Sequence, residues 1–166
     1  MNTGQDTAYN LRQFLAKMNL IANTYAEGKP DLNIKYGYGT LSALEKQAAD
    51  EVHNDYVIWL LPQTSTGRRV SGGRLINLMS FQLFVGNPLT IDSGDSYELS
   101  STVNLDDVRN IHETSYDVIA AMVKEIADNL SQPSFNYAMN YHYFDYTVSM
   151  VGMSINFTYE IGTDQC

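Results

Sequence analysis

Residues Val151 to Ile161 read VGMSINFTYEI, and their side chains alternate between apolar and small or polar types. The odd positions are the apolar ones: Val151, Met153, Ile155, Phe157, Tyr159 and Ile161. Because successive side chains of a strand point to opposite faces, this pattern predicts a long strand with one buried and one wet face. We expect the strand to belong to an antiparallel sheet and to lie at a sheet edge that is open to a neighbour.

Three other segments are predicted to be strands of the same sheet. Asp55 to Leu61 is almost entirely apolar and is followed by Pro62, which is typical of a buried strand that ends there. Leu75 to Val85 is the next strand, so that the polar residues 63–74 become the extended tip of a long hairpin. Asn136 to Val148 is rich in tyrosine and pairs with the closing strand, with either a bend at Gly152 or a tight turn near Ser149 between them.

Two long segments carry apolar residues at helical spacing. Asp6 to Glu27 has one apolar stripe, and Gly28 is expected to end that helix in a left-handed conformation. A linker with two glycines then leads to a shorter helix from Ser42 to Val52, where Ser42 begins a capping box. The second long helix begins after Asn104 and continues to Leu130.

The order helix, hairpin, helix, hairpin predicts an α+β fold. We expect an antiparallel β-sheet of two long hairpins with two main helices packed on one face, in the order α-ββ-α-ββ. A chain of 166 residues is the usual size of one domain. We therefore expect a single domain over 1–166, with an extended hairpin arm at about 62–75.

Composition restricts the function. Ten basic residues stand against nineteen acidic ones, a formal net charge of −9, so tight binding to nucleic acid is not expected. The absence of an apolar run of about 18 residues argues against a transmembrane helix and against a membrane partner. The single cysteine, Cys166, cannot form an intramolecular disulfide.

The motifs of catalysis and metal binding are missing from the sequence. His53, His112 and His142 each lie near an acidic residue, but none has the spacing of a known zinc motif. The glycine-rich segment 67–74 lacks the lysine of a phosphate-binding loop, and the acidic segment 92–98 matches only half of a calcium loop. We expect no enzyme activity, no metal and no cofactor.

Two groups of residues are candidates for interaction. The hairpin tip holds three of the five arginines, and the tyrosine-rich strand holds three tyrosines of one parity. The tip is either a solvated loop or an arm that contacts an acidic neighbour or a phosphate backbone. The tyrosines are expected in the core or at a subunit interface rather than stacked on bases, because no lysine or arginine follows Leu130. The candidate residues are Arg68, Arg69, Arg74, Tyr137, Tyr141 and Tyr143.

The order of elements resembles the tail-terminator and tail-completion proteins of tailed bacteriophages. The segment DYVIWLLP at 55–62 is similar to the first strand of such proteins from phages of gut Bacteroides, and the closing strand with its short tail to Cys166 resembles their C-termini. The resemblance spans nearly the whole chain and rests on pattern and order rather than on a short motif.

The resemblance implies a structural virion protein of the neck or tail. Such proteins form a homomeric ring, a hexamer or a dodecamer, that is assembled in the cytoplasm of the bacterial host and contacts other neck, portal or tail-tube proteins. DNA would pass through the ring without sequence-specific binding. The alternative is a non-enzymatic α/β sandwich module that binds a small ligand or a partner, with the tyrosine-rich strand as the wall of its pocket.

Overall fold

The structure is a computed structural model that describes residues 9–44, 56–69, 75–89, 105–130, 140–143 and 149–162. Its helices are α1 (Leu11–Glu27) and α2 (Leu105–Asn129), with a short 3-10 turn at Pro30–Leu32 and helical residues at 41–44. Its strands are β1 (Lys35–Tyr38), β2 (Val57–Arg69), β3 (Leu75–Leu89), β4 (Asn140–Tyr143) and β5 (Ser149–Gly162).

The strands form one sheet in the order β1-β2-β3-β5-β4. β2 pairs with β3, β3 with β5, and β5 with β4, all antiparallel, whereas β1 pairs with β2 in parallel. The predicted α+β class is therefore confirmed, but the sheet is mixed rather than purely antiparallel. The closing strand β5 lies between β3 and β4, so the prediction that it is a sheet edge is wrong.

One face of the sheet carries the main core. β5 presents its odd residues Met153 to Ile161 to this face, as its alternation predicts, and all are buried. Phe14 of α1 stacks between Phe81 and Tyr159, with ring centroids 4.8 Å and 4.7 Å away. The buried stripe of α2 packs against the same cluster, which places both long helices on one face of the sheet. Within that cluster the helix contributes Val118, Ile119, Met122 and Ile126, and Leu130, directly after the helix, joins them.

The opposite face carries a second, smaller core at one end of the sheet. Val57, Trp59 and Leu61 of β2 pack there with Phe84 of β3 and with Leu44 from the helical residues 41–44. Since Ile58 and Leu60 face the main core, β2 is buried on both faces over this length. The two-sided burial explains why residues 57–61 are continuously apolar instead of alternating.

The first glycine-containing linker is a strand. Residues 35–38, which were expected to connect two helices, pair with residues 57–60 as β1. The indole of Trp59 lies against Gly37 so closely that a Cβ at that position would overlap the ring. Trp59 also donates its indole N–H to the carbonyl of Gly39 at 3.1 Å. The absence of a side chain at Gly37 thus allows the large ring to cover the edge strand.

The ends of the helices differ from the predictions in three places. The first helix begins at Leu11 rather than at Asp6, because Asn10 is its N-cap and accepts from the N–H of Gln13 at 2.8 Å. Gly28 has φ −74°, a right-handed rather than a left-handed conformation, and its N–H bonds to the carbonyls of the last turn. Thr40, not Ser42, caps the helical residues 41–44, because its hydroxyl accepts from the N–H of Ala43 at 3.3 Å. The remainder of the predicted Ser42–Val52 helix lies outside the described residues, as does Asn104.

Gly152 is part of β5 and does not mark a bend before it. It lies opposite Gly86 of β3 and opposite His142 of β4. A Cβ added to Gly152 would overlap the carbonyl oxygen of Val85 and approach the Cα of Gly86 to 2.6 Å. The two glycines therefore allow a close approach of two backbones in the middle of the sheet.

Candidate functional site

In the far half of the β2–β3 pair the β2 side is exposed at residues 63–67, whereas β3 remains paired with β5, from Ile76 opposite Gly162 to Phe81 opposite Phe157. We call this half the distal arm and define it as residues 62–69 of β2 with residues 75–81 of β3. The sequence predicts that Pro62 ends β2, but the strand continues to Arg69, and its register shifts between Pro62 and Thr64. A proline is tolerated here because, within the part of the chain that the structure describes, no strand pairs with the outer edge of β2 beyond Leu60 and needs its missing N–H.

The outer edge of β2 changes character at the start of the distal arm. Up to Leu60 this edge is covered by β1, whose last pair is Tyr38 with Leu60. Beyond Leu60, no strand among the described residues pairs with it. Residues 63–67 are all exposed, although neighbouring residues of a strand face opposite sides of the sheet. Residues 63–67 of the distal arm therefore offer the backbone N–H and C=O groups of their outer edge, and both of their faces, to solvent.

A chain of side-chain amides crosses the sheet at the base of the distal arm. Gln63 donates to Gln82 at 3.2 Å, and Gln82 donates to the hydroxyl of Ser154 at 2.9 Å. Ser154 is fully buried, so this bond satisfies a polar group next to the smaller core. The chain links β2, β3 and β5 and holds the start of the arm in a fixed position relative to the domain.

The structure places the two predicted groups of interaction residues on different strands. Arg68 and Arg69 form the end of β2, in register with Ile76 and Leu75. Tyr141 and Tyr143 belong to β4, opposite Met153 and Val151. Arg74 and Tyr137 lie outside the described residues. Since β2 and β4 are separated by β3 and β5, the arginines and the tyrosines do not form one site within a single copy of the chain.

Acidic side chains dominate the exposed surface of α2. Glu113, Asp117, Glu125 and Asp128 are exposed there, along with the basic residues Arg109 and Lys124. Arg109 contacts Glu113 at 3.8 Å, but both side chains are about 70% exposed (70% and 69%), so this ion pair adds little stability. The exposed side of α2 therefore repels polyanions more than it attracts them.

A cavity between α1 and α2 was missed by the sequence analysis. Its volume is about 350 Å³, within the range of small-molecule sites. Leu20, which is 58% exposed, and Ile21 form its apolar part, and Lys17 and Lys29 are its cations. Tyr25 also lines it; burial, together with the charge of Asp117, raises the pKa of its hydroxyl and keeps it a hydrogen-bond donor. The only sequence signal was Leu20, an apolar residue off the buried stripe of α1.

The three histidines do not come together. His112 lies on α2 and lines a hollow of about 230 Å³ with Glu113, Asp117 and Met153. Burial lowers the pKa of His112 below its ordinary value. His142 is a β4 residue, and His53, like the acidic segment 92–98, lies outside the described residues. Within the described part of the chain, no group of three or more His, Cys, Asp or Glu residues could hold a metal ion.

No protein-family model matches the chain, and no curated protein sequence matches it. Among the described helices, none combines the length and the apolar character needed to span a bilayer.

Proposed function

We propose that this chain is a structural subunit of a homomeric ring in the neck or tail of a tailed bacteriophage, of the tail-terminator or tail-completion type. It acts in the virion, after assembly in the cytoplasm of the bacterial host, and not as an enzyme. The ring is a hexamer or a dodecamer, contacts other neck, portal or tail-tube proteins, and lets DNA pass. The observation that carries this proposal is the distal arm, whose outer strand β2 has a backbone edge that no described strand covers.

The distal arm suits a contact between subunits better than an isolated surface loop. Residues 63–67 of β2 are exposed on both faces, yet their pairing with β3 and the Gln63–Gln82–Ser154 chain hold them in place. A prearranged strand loses little conformational entropy when a partner covers it. The backbone groups of its open edge can pair with another chain in a defined register.

The charge of the chain supports a ring through which DNA slides. With a net charge of −9 and acidic residues over the exposed side of α2, the molecule offers DNA few cations. Phosphates bind proteins mainly through lysine and arginine, so an acidic channel wall would leave the duplex mobile. We include in this proposal the arrangement expected of a tail terminator, in which each of two hairpins is preceded by a helix. The antiparallel pairing of β2 with β3 and of β4 with β5 supports that arrangement.

The test is the assembly state of the purified protein. Native mass spectrometry and negative-stain electron microscopy should find closed rings of six or twelve copies, alone or on addition of the portal or tube protein. The double variant Arg68→Glu with Arg69→Glu should fold normally and lose rings. Arg12→Glu, a charge reversal at an exposed position of α1, is the matched control and should keep them. A strictly monomeric wild type, with or without these partners, would contradict the proposal.

The cavity between α1 and α2 favours a second candidate, a module that binds a small ligand. Its apolar part at Leu20 and Ile21, with Lys17 and Lys29 nearby, suits a compact amphipathic molecule. The predicted pocket wall was the tyrosine-rich strand; this cavity is lined by helices instead. A thermal-shift screen of metabolites on the monomer is the test: a hit that is abolished by Leu20→Lys, a change at an exposed position of the cavity wall, supports this function over the ring.

A further inference from the structure

The cavity between α1 and α2 runs along one face of α1. Lys17, Ile21, Thr24 and Gly28 line it at spacings of three and four residues, so their side chains follow one another on that face. From Lys17 to Gly28 this face measures about 16 Å along the helix axis. A volume of about 350 Å³ spread over such a length describes a narrow groove rather than a round pocket.

Lys17 is the charged group at one end of the groove. Its side chain is half-buried, whereas Lys29 at the other end is exposed. In the part of the chain that the structure describes, no carboxylate lies within ion-pair distance of Lys17. Glu125 on the α2 wall is bonded elsewhere, because its carboxylate accepts from Nδ2 of Asn129 at 3.2 Å. A partly buried ammonium group without a counter-charge attracts an anion more strongly than one in open water.

Beyond Lys17 the groove becomes apolar. Leu20, which is 58% exposed, and Ile21 lie about one turn further along α1. The apolar part of a ligand that covers Leu20 would remove this exposed surface from water, which is favourable. At the far end Gly28 has no side chain, and a Cβ there would meet only the carbonyl oxygens of Thr24 and Tyr25. The far end of the groove is therefore open enough to receive an extended apolar chain.

We propose that this groove binds a single-chain amphiphile with an anionic headgroup, with the headgroup at Lys17 and the chain over Leu20 and Ile21 toward Gly28. This inference rests on the second candidate function, the ligand-binding module, and names its ligand class; it holds whether or not the chain forms a ring. The lining carries two lysines and one carboxylate, so charge favours an anion. An alcohol with the same chain gains only the apolar contacts, and an ammonium headgroup is repelled by Lys17.

The test is isothermal titration calorimetry with octanoate, 1-octanol and octylammonium, each at concentrations where no micelles form. Wild type should bind octanoate at one saturable site, octanol about threefold more weakly, and octylammonium most weakly. Lys17→Glu should raise the dissociation constant of octanoate about tenfold, because it replaces an attraction by a repulsion, and should leave octanol unchanged. Lys124→Glu is the matched control; it makes the same charge change at an exposed position of α2 outside the groove and should leave the affinity for octanoate unchanged.

Circular dichroism establishes that each variant is folded. If Lys17→Glu is not, Lys17→Gln takes its place, with an expected loss of about threefold. A loss of octanoate binding confined to the Lys17 variant supports the proposed ligand class. Equal affinity for the three ligands, or an equal loss in the Lys17 and Lys124 variants, overturns the anionic class and leaves the ligand-binding module standing. The absence of saturable binding of any of the three overturns the inference and counts against the module as well.

Discussion

Replacing Gly152 by alanine adds one methyl group where β3, β5 and β4 meet. The new Cβ would overlap the carbonyl oxygen of Val85 and lie 2.6 Å from the Cα of Gly86, and both are backbone atoms of the central strand. Overpacking a core typically destabilises by about 1–3 kcal/mol, and here no side chain can rotate away. Alanine also reduces the conformational entropy of the unfolded chain relative to glycine, which stabilises the folded state by about 0.4–1 kcal/mol and offsets part of this cost. We expect a net loss of about 2 kcal/mol, or a Tm lower by roughly 4–8 °C.

Urea denaturation followed by circular dichroism measures this loss, with a thermal melt as the second readout. Gly28→Ala is the matched control, because Gly28 has φ −74° and its nearest neighbour to an added Cβ is the Tyr25 carbonyl oxygen at 3.4 Å. That variant should be as stable as wild type or slightly more so. Equal stability of Gly152→Ala and wild type would refute the close approach of β3 and β5. A larger loss for Gly28→Ala would refute the reasoning from added Cβ contacts.

Three further changes test other parts of the fold. Gly37→Ala should displace the ring of Trp59, weaken its hydrogen bond to Gly39 and lower the free energy of unfolding by about 1–3 kcal/mol. The fluorescence emission of this single tryptophan should then shift to the red. An unchanged spectrum would count against the contact between Gly37 and the ring. Phe14→Ala removes the centre of the aromatic cluster and should cost about 3–5 kcal/mol in urea denaturation; a loss below about 1 kcal/mol would contradict the packing. The pKa of His112 is lower in the folded than in the unfolded protein, so on acidification the unfolded chain binds this proton at a higher pH. The stability that the neutral imidazole contributes is therefore fully present above about pH 6.5 and is lost as the pH falls through the folded pKa. His112→Gln should flatten that part of the stability profile, and an identical slope in both proteins would contradict the burial of the imidazole.

A helix or strand can be predicted from the sequence when the spacing of its own apolar side chains shows which face is buried. β5 alternates because one face meets the core, and α2 repeats at helical spacing because one stripe does, so both could be located from side chains alone. β1 has no such pattern, since Gly37 contributes no side chain. It is a strand because Trp59, about twenty residues later, covers it and β2 pairs with it. Tertiary contacts of this kind are invisible in a local window.

The distal arm shows a second limit of sequence patterns. Pro62 is a reliable breaker inside a sheet, but on an outer strand its missing N–H has no partner to lose, so β2 continues. Likewise, the pattern indicated that arginines and tyrosines were candidates for interaction. Only the strand order reveals that Arg68 and Tyr141 belong to the first and last of the four antiparallel strands that the structure describes, with β3 and β5 between them. The cavity between α1 and α2 depends on how two distant helices pack, which neither stripe encodes.

The central position of β3 also determines the order in which the sheet can fold. Its pairs with β2 begin at Arg69 and Leu75, close in the chain, whereas its pairs with β5 join residues that are 60 (Leu89 to Ser149) to 86 (Ile76 to Gly162) positions apart. Closing such long loops is slow compared with forming the local β2–β3 pair. We expect a folding intermediate in which β2 and β3 are paired but β5 is not yet bound, so that one edge of β3 is unpaired and its apolar residues are exposed. High protein concentration during refolding should therefore favour aggregation through that edge.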